Sequence, residues 1–210
     1  MIITLLTDFG TQDYFVGAMK GVILSTNPTA QIVDLTHDIP PQDIHAGAFN
    51  LLAVYKDFPR GTIHVAVVDP EVGSNRRPIL IECAHQIFVG PDNGLFSWIC
   101  EREGNWRAHH LTNQEFLRHP TSKTFHGRDV FAPVAAWLSK SWQSSAFGDP
   151  VEDFVRFALP KPKINGNTIK AVVLKVDNFG NLMTNLKAED APALVANDGK
   201  FAIRVGNAEV

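Results

Sequence analysis

Short apolar runs alternate with segments of helical period along most of this 210-residue chain. "IITLLTD" (2–8) reads as a strand, and "YFVGAMKGVILSTNP" (14–28) as a helix closed by Pro28. "AQIVDLTHDI" (30–39) is a strand, and "DIHAGAFNLLAVYKDFP" (43–59) a helix. "TIHVAVVD" (62–69) and "PILIECAHQIFVG" (78–90) each read as one strand, whereas "NGLFSWICERE" (93–103) and "DVFAPVAAWLSKSW" (129–142) read as helices. Strands alternating with helices of this length predict an α/β domain with a mostly parallel sheet flanked by helices.

The pattern changes at "LPKPKINGN" (159–167), where two prolines, two lysines and a glycine predict a linker. "TIKAVVLKVDNFGNLMTNL" (168–186) then reads as a strand, a turn over Asn178 to Asn181 and a second strand, and "FAIRVGNAEV" (201–210) as another strand. The expected organisation is an α/β domain over 1–158, the linker, and the start of a smaller β domain over 168–210. About forty residues are few for an independent core, so this second domain is expected to be incomplete.

Composition changes this picture little. A hydrophobic fraction of 45% suits a globular core. The net charge of -3 gives no electrostatic case for nucleic acid or an anionic membrane. The apolar runs fall far short of a membrane span, and the first residues do not form a signal peptide. Cys83 and Cys100 have no metal-type spacing and read as buried thiols, which points to the cytoplasm.

Candidate chemistry lies where open α/β sheets bind ligands, beyond the carboxyl ends of strands. "TDFGTQD" (7–13) supplies Asp8 and Asp13. Asp8 sits too far from the helix near Tyr14 to cap it and is placed to accept two ribose hydroxyls, whereas Asp13 fits either a cap or a ligand contact. "VVDPEVGSNRRPI" (67–79) ends a buried strand on Asp69 and brings back Arg76 and Arg77. On its own the arginine pair reads as a solvated turn. "FHGRDVFAP" (125–133) places His126 before Gly127, which permits positive φ or close approach of backbone to a ligand. "THDIPPQDIHAG" (36–47) has the look of a metal cluster, but its double proline and the capping position of Asp43 should point His37, Asp38, Asp43 and His45 apart. No glycine-rich phosphate fingerprint follows any strand.

Six stretches occur together: "TDFGTQDYFVGAMKG", "DLTHDIPPQDIHAGA", "VVDPEVGSNRRPI", "GPDNGLFS", "FHGRDVFAP" and "VDNFGNLMTN". In order and spacing they resemble the S-adenosyl-L-methionine (SAM) hydroxide adenosyltransferases, which are adenosine-forming SAM hydrolases related to the SAM-dependent fluorinases and chlorinases. The resemblance implies a C-terminal β-barrel domain and a homotrimer, with substrate between the N-terminal domain of one subunit and the C-terminal domain of its neighbour. It implies that Asp69, Arg76 and His126 hold the attacking water and that Asp8 binds ribose. Asp13 and Asp177 would lie near the methionine end, with Phe179 stacking on adenine and Asn181 hydrogen-bonding it. It also implies a segment beyond residue 210 that completes the adenine and methionine contacts.

The implied reaction is hydrolysis of SAM to adenosine and L-methionine, without cofactor or metal. Bulk water, with a pKa of ~15.7, is a poor nucleophile, whereas the sulfonium leaves without an acid. Asp69 and His126 could accept hydrogen bonds from the water, His126 could serve as base, and Arg76 would keep Asp69 ionised. The rivals are a halogenase on the same fold, a non-catalytic SAM or adenosine module, and a metal hydrolase built on His37 to His45.

Overall fold

The computed structural model describes residues 1–196, 202–206 and 208–209, and the chain divides into two compact units, Met1–Ala158 and Leu159–Val210. In the first unit, strand β1 (Ile2–Thr7) leads to helix α1 (Phe15–Thr26), and β2 (Gln31–Thr36) to α2 (Ile44–Val54). Next come β3 (Ile63–Val67), β4 (Pro78–Cys83), β5 (Gln86–Pro91), α3 (Ser97–Glu103) and β6 (Trp106–His110). A π-helical turn over Gly127–Phe131 runs into α4 (Ala132–Leu138), and β7 (Pro150–Val151) closes the sheet.

The seven strands lie in the order β2-β1-β3-β5-β4-β6-β7. β2, β1, β3 and β5 run parallel, and β4, β6 and β7 add antiparallel pairings at the other side. β3 is buried throughout and β1 at every residue after Ile2, as expected where helices cover both faces. On one face Ile3, Leu5, Val65 and Val89 pack with Met19 and Ile23 of α1 and Val134 and Leu138 of α4. Each such fully buried side chain contributes about 1.5–3 kcal/mol. α2 packs with α3. His64 on β3 is buried, bonded through Nδ1 to Thr4 Oγ1 at 2.7 Å and stacked on Phe88, and burial pushes its pKa down to about 4.

Residues 78–90, expected as one strand, form the β4–β5 hairpin, with Cys83 opposite Gln86. Its two turn residues, Ala84 and His85, adopt φ of 55° and 61°. Such a turn usually signals itself through Asn or Gly, and neither is present. The helix expected over 129–142 is shorter, because the π-helical turn precedes it and Pro133 occupies its first turn.

In the second unit, the stretch expected as a linker contributes β8 (Lys163–Asn165), which pairs with β9 (Thr168–Lys170). β10 (Val173–Val176) pairs with β11 (Leu182–Thr184) around a loop over 177–181. A short helix α5 (Pro192–Val195) follows, and β12 (Arg204–Val205) pairs with β13 (Ala208–Glu209). Phe201, Asn207 and Val210 of the strand expected over 201–210 lie outside the described residues. The implied barrel is not closed: among the described residues, the unit has three separate two-stranded antiparallel ladders. Ladders of two to four residues leave their outer edges without the continuous pairing that closure needs.

Candidate active site

The parallel pairing of β1 with β3 sets Thr7 opposite Val67. Asp8 follows the first by one residue and Asp69 the second by two, so two carboxylates emerge side by side from adjacent strand ends. The connection after β1 leads to β2 on one side, and the connection after β2 crosses back to β3 on the other, so these strand ends form the switch point where open α/β sheets bind ligands.

The loop after β3 folds back on itself. Val72 N–H donates to Asp69 O at 3.3 Å, Ser74 N–H to Glu71 O at 3.0 Å, and Arg76 N–H to Ser74 Oγ at 3.1 Å. These turns return Arg76 to Asp69. Arg76 Nε donates to both carboxylate oxygens, at 2.9 and 3.0 Å, and Nη2 also donates to Oδ2. Each side chain is only 4% exposed, so this is a buried ion pair and not a solvated turn.

His126 joins the pair through Nδ1, 2.7 Å from Arg76 Nη2. A guanidinium only donates, so Nδ1 accepts and the ring proton of neutral His126 sits on Nε2. Burial, and then the charge of Arg76, lower the His126 pKa below its ordinary value and keep the ring neutral at pH 7. Arg76 Nη1 is buried and has no hydrogen-bond partner among the described residues. A buried guanidinium N–H without an acceptor is costly, so it marks where a polar ligand or water would sit.

Gly73 couples the two loops. Its φ is +79°, and a Cβ there would lie 2.1 Å from Lys123 O, so only glycine lets the Asp69 loop approach the segment leading to His126. Asp129, wholly buried, secures that segment. It accepts from Arg128 Nε at 2.7 Å, Arg128 Nη2 at 2.9 Å and Ser122 N–H at 2.8 Å.

Asp8 accepts from Gln42 N–H at 2.8 Å. Burial pushes its pKa up, the Gln42 hydrogen bond opposes this, and the charge of Asp69 adds to the rise. Asp8 and Asp69 therefore feel one another across the crevice. Gln42 itself holds a φ of 66°, a conformation uncommon for a side-chain-bearing residue.

The structure thus brings together Asp8, Asp69, Arg76 and His126. Asp13 is exposed and does not cap α1, whose N-cap is Tyr14 and which has no side-chain cap. Gly127 uses no positive φ. A Cβ there would meet Met19 Sδ at 3.2 Å and Phe9 at 3.4 Å, so its smallness lets those side chains pack against the π-helical turn.

In the second unit, Asp177 organises its own loop. It accepts from Phe179 N–H at 2.9 Å, Asn181 N–H at 2.8 Å and Asn181 Nδ2 at 2.7 Å. Phe179 is 89% exposed at the tip, presenting a free aromatic face.

The residues of 36–47 disperse. Asp43 caps α2 through Ala46 N–H at 2.9 Å, His37 Nδ1 lies 2.9 Å from Thr7 Oγ1, and His45 packs on Phe157. Among the described residues, no group of three or more His, Cys, Asp or Glu side chains could hold a metal ion. Gln42, the packing of Phe9 and the anchoring by Asp129 were not foreseen in the sequence. The Arg-Asp dipeptide at 128–129 was the available signal for the last of these.

Fold and site define an α/β protein with two carboxylates, a guanidinium and an imidazole gathered at the strand switch point, and comparison with known proteins specifies it further. A sequence model of the SAM hydroxide adenosyltransferase N-terminal domain matches residues 3–148, and the chain belongs to that family. It is 40% identical over 194 residues to an (R)-S-adenosyl-L-methionine hydrolase of Methanocaldococcus jannaschii, covering 90% of this chain and 68% of that protein. A fluorinase of Actinoplanes sp. is 28% identical over 216 residues, covering 90% of this chain and 72% of the fluorinase. Among solved structures, a conserved protein from Thermotoga maritima superposes with a TM-score of 0.92 at 34% identity, covering all of this chain and 81% of that one.

Proposed function

We propose that this chain hydrolyses (R)-S-adenosyl-L-methionine to adenosine and L-methionine, without a metal or cofactor. The carrying observation is the buried Asp69–Arg76–His126 constellation, with its unpartnered Arg76 Nη1, beside Asp8. Identity of 37–43% to four proteins named as hydrolases of the (R) form supports the substrate.

In this reading, water stands against Asp69, His126 Nε2 and Arg76 Nη1. Its oxygen attacks ribose C5′ in line with the sulfonium. The O–C5′ bond forms, the C5′–S bond breaks, and the pair of electrons returns to sulfur as neutral thioether. The water proton passes to Asp69. His126 is a donor here and not the base, because Nδ1 is committed to Arg76 and Nε2 carries its proton. Holding water at the carbon supplies the orientation term. Asp8 accepts the ribose hydroxyls, Asp13 and Asp177 lie toward methionine, and Phe179 and Asn181 contact adenine. Gly127, small and next to His126, lies against the substrate.

A carboxylate beside the nucleophile's place repels a halide and attracts water, which favours hydrolysis over halogenation. We also propose a homotrimer in which the second unit, with Val176, Phe179, Leu182 and Met183 exposed, meets the neighbouring subunit's crevice. The proposed domains are 1–158 and the β ladders that follow. Cytoplasmic placement rests on the two free buried thiols, Cys83 and Cys100. Among the described residues, no helix is long and apolar enough to cross a membrane.

The test is incubation with each sulfonium epimer of SAM, with and without chelator, in chloride, fluoride or acetate buffer, followed by chromatography. Adenosine and methionine from the (R) epimer are expected in every buffer, from a sample whose light-scattering mass is a trimer's. A 5′-halogenated adenosine as main product, or intact SAM, would overturn the reading; a fully active monomer would remove the shared site.

Asp8→Ala is expected to weaken adenosine binding. Loss of charge-assisted hydrogen bonds worth ~1.5–3 kcal/mol corresponds to roughly 10- to 150-fold in Kd. Calorimetry showing wild-type affinity in the folded variant would take Asp8 out of the ribose site.

A further inference from the structure

The stretch "GPDNGLFS" plays no part in the reaction derived above, yet its residues touch both ends of the loop that carries Asp69 and Arg76. We infer that Asp92 and Asn93 form a positioning clamp that, with Arg77, fixes the spacing of Asp69 and Arg76 and hence the place of the attacking water.

At the start of the loop, Asn93 Nδ2 donates to Val68 O at 2.8 Å, and that carbonyl belongs to the peptide bond of Asp69. Asn93 Oδ1 is itself held by Leu95 N–H at 3.3 Å. At the end of the loop, Asp92 N–H donates to Arg77 O at 2.9 Å. Arg77 Nε donates to Asp92 Oδ2 at 2.8 Å, and Arg77 Nη2 lies 2.7 Å from the same oxygen. Arg77 is bonded in the chain to Arg76, so one dipeptide grips the residue before Asp69 and the residue after Arg76.

The grip is braced from behind. Asp92 Oδ1 accepts from Val155 N–H at 2.7 Å, Arg77 Nη1 donates to Asp153 Oδ1 at 2.7 Å, and Arg77 Nη2 to Asp153 O at 3.0 Å. Asp92 and Asn93 are buried. The flanking glycines are needed for this placement. A Cβ at Gly90 would lie 2.3 Å from Ala66 O, and Gly94 has φ +96° with Phe157 2.4 Å from where its Cβ would be. The first lets the end of β5 lie close against β3, and the second lets the chain turn into α3.

The two arginines of the "RR" pair thus divide the work. Arg76 faces the reacting centre, and Arg77 faces away and anchors it. Asp92 and Asn93 hold Val68, Arg77, Leu95 and Val155 and not the side chains of Asp69 or Arg76, so their effect passes through the backbone. A shift of about 1 Å in a positioned reactant costs on the order of 10²-fold in rate.

This inference rests on the proposed hydrolysis, so the experiment separates the two. Asn93→Asp removes the donor to Val68 O and keeps the acceptor for Leu95 N–H. Arg77→Lys keeps the charge, sits at a partly exposed side chain and loses the fork to Asp92. For both, kcat and KM for SAM, adenosine Kd by calorimetry and the folded fraction are measured beside wild type. The expected result is a roughly 10- to 100-fold loss of kcat per folded molecule, with KM and adenosine Kd within about threefold. Wild-type kcat in both variants overturns the clamp, as does a loss in which KM and Kd rise in step, since the pair would then shape the substrate pocket. If Asn93→Asp does not fold, Arg77→Lys decides. Wild type that leaves SAM intact removes both this inference and the hydrolase reading; wild type that turns over beside fully active variants removes the clamp alone.

Discussion

Asp69→Asn is expected to lower kcat for SAM hydrolysis by roughly 10²–10⁴-fold, the range for losing a positioned proton acceptor. The amide keeps one oxygen for Arg76 but turns an NH2 toward a guanidinium that only donates, carries no charge and cannot take the water's proton, so kcat is read per folded molecule. KM should change far less, because Asp69 acts on the nucleophile and not on SAM. His126→Ala is expected to lose less than Asp69→Asn, since the ring orients the water as a donor. The pH profile should follow the ring. The His126 pKa is depressed below its ordinary ~6.5, so the ring is neutral above that pH and kcat should be level there. Acidification through the depressed value protonates Nδ1, breaks the bond from Arg76 and lowers kcat. Steady-state rates from chromatographic adenosine at saturating SAM give all of these values. Wild-type kcat in folded Asp69→Asn would end the assignment of Asp69 as acceptor.

The second large effect is on stability and does not depend on the reaction. Arg76→Ala leaves the Asp69 carboxylate, 4% exposed, without its ion-pair partner, and His126 Nδ1 without its donor. Breaking a buried pair from one side typically costs about 3–5 kcal/mol, because the remaining charge stays buried and uncompensated. Removing both charges in Asp69→Leu with Arg76→Leu should cost much less, since apolar replacement of a buried pair is often close to neutral. Urea unfolding at one fixed protein concentration compares the three proteins. If Arg76→Ala unfolds within about 1 kcal/mol of wild type, the pair is solvated in practice and is not the buried ion pair described above.

The sequence by itself determined the central architecture, because period is a local property. The apolar runs at 2–8 and 62–69 read as buried strands, and β1 and β3 lie there with almost every residue buried. Asp43 before "IHAGA" read as a cap, and it caps α2 through Ala46 N–H. The motif order was specific enough to indicate the family, since six stretches in register leave little room for coincidence.

Tertiary structure decided what depends on partners distant in the chain. The β4–β5 hairpin was invisible because Ala84 and His85 carry no turn signal, and the pairing of β4 with both β5 and β6 holds the turn in place. The arginine pair at 76–77 looked like a solvated turn, and nothing local separates its two members. Burial against Asp69 and His126 assigns one, and Asp92 and Asp153 capture the other. The role of His126 changed for the same reason. Its free-residue pKa suggested a base, but only the fold sets a guanidinium 2.7 Å from Nδ1, and a donor at that nitrogen fixes the tautomer and removes the lone pair a base would use.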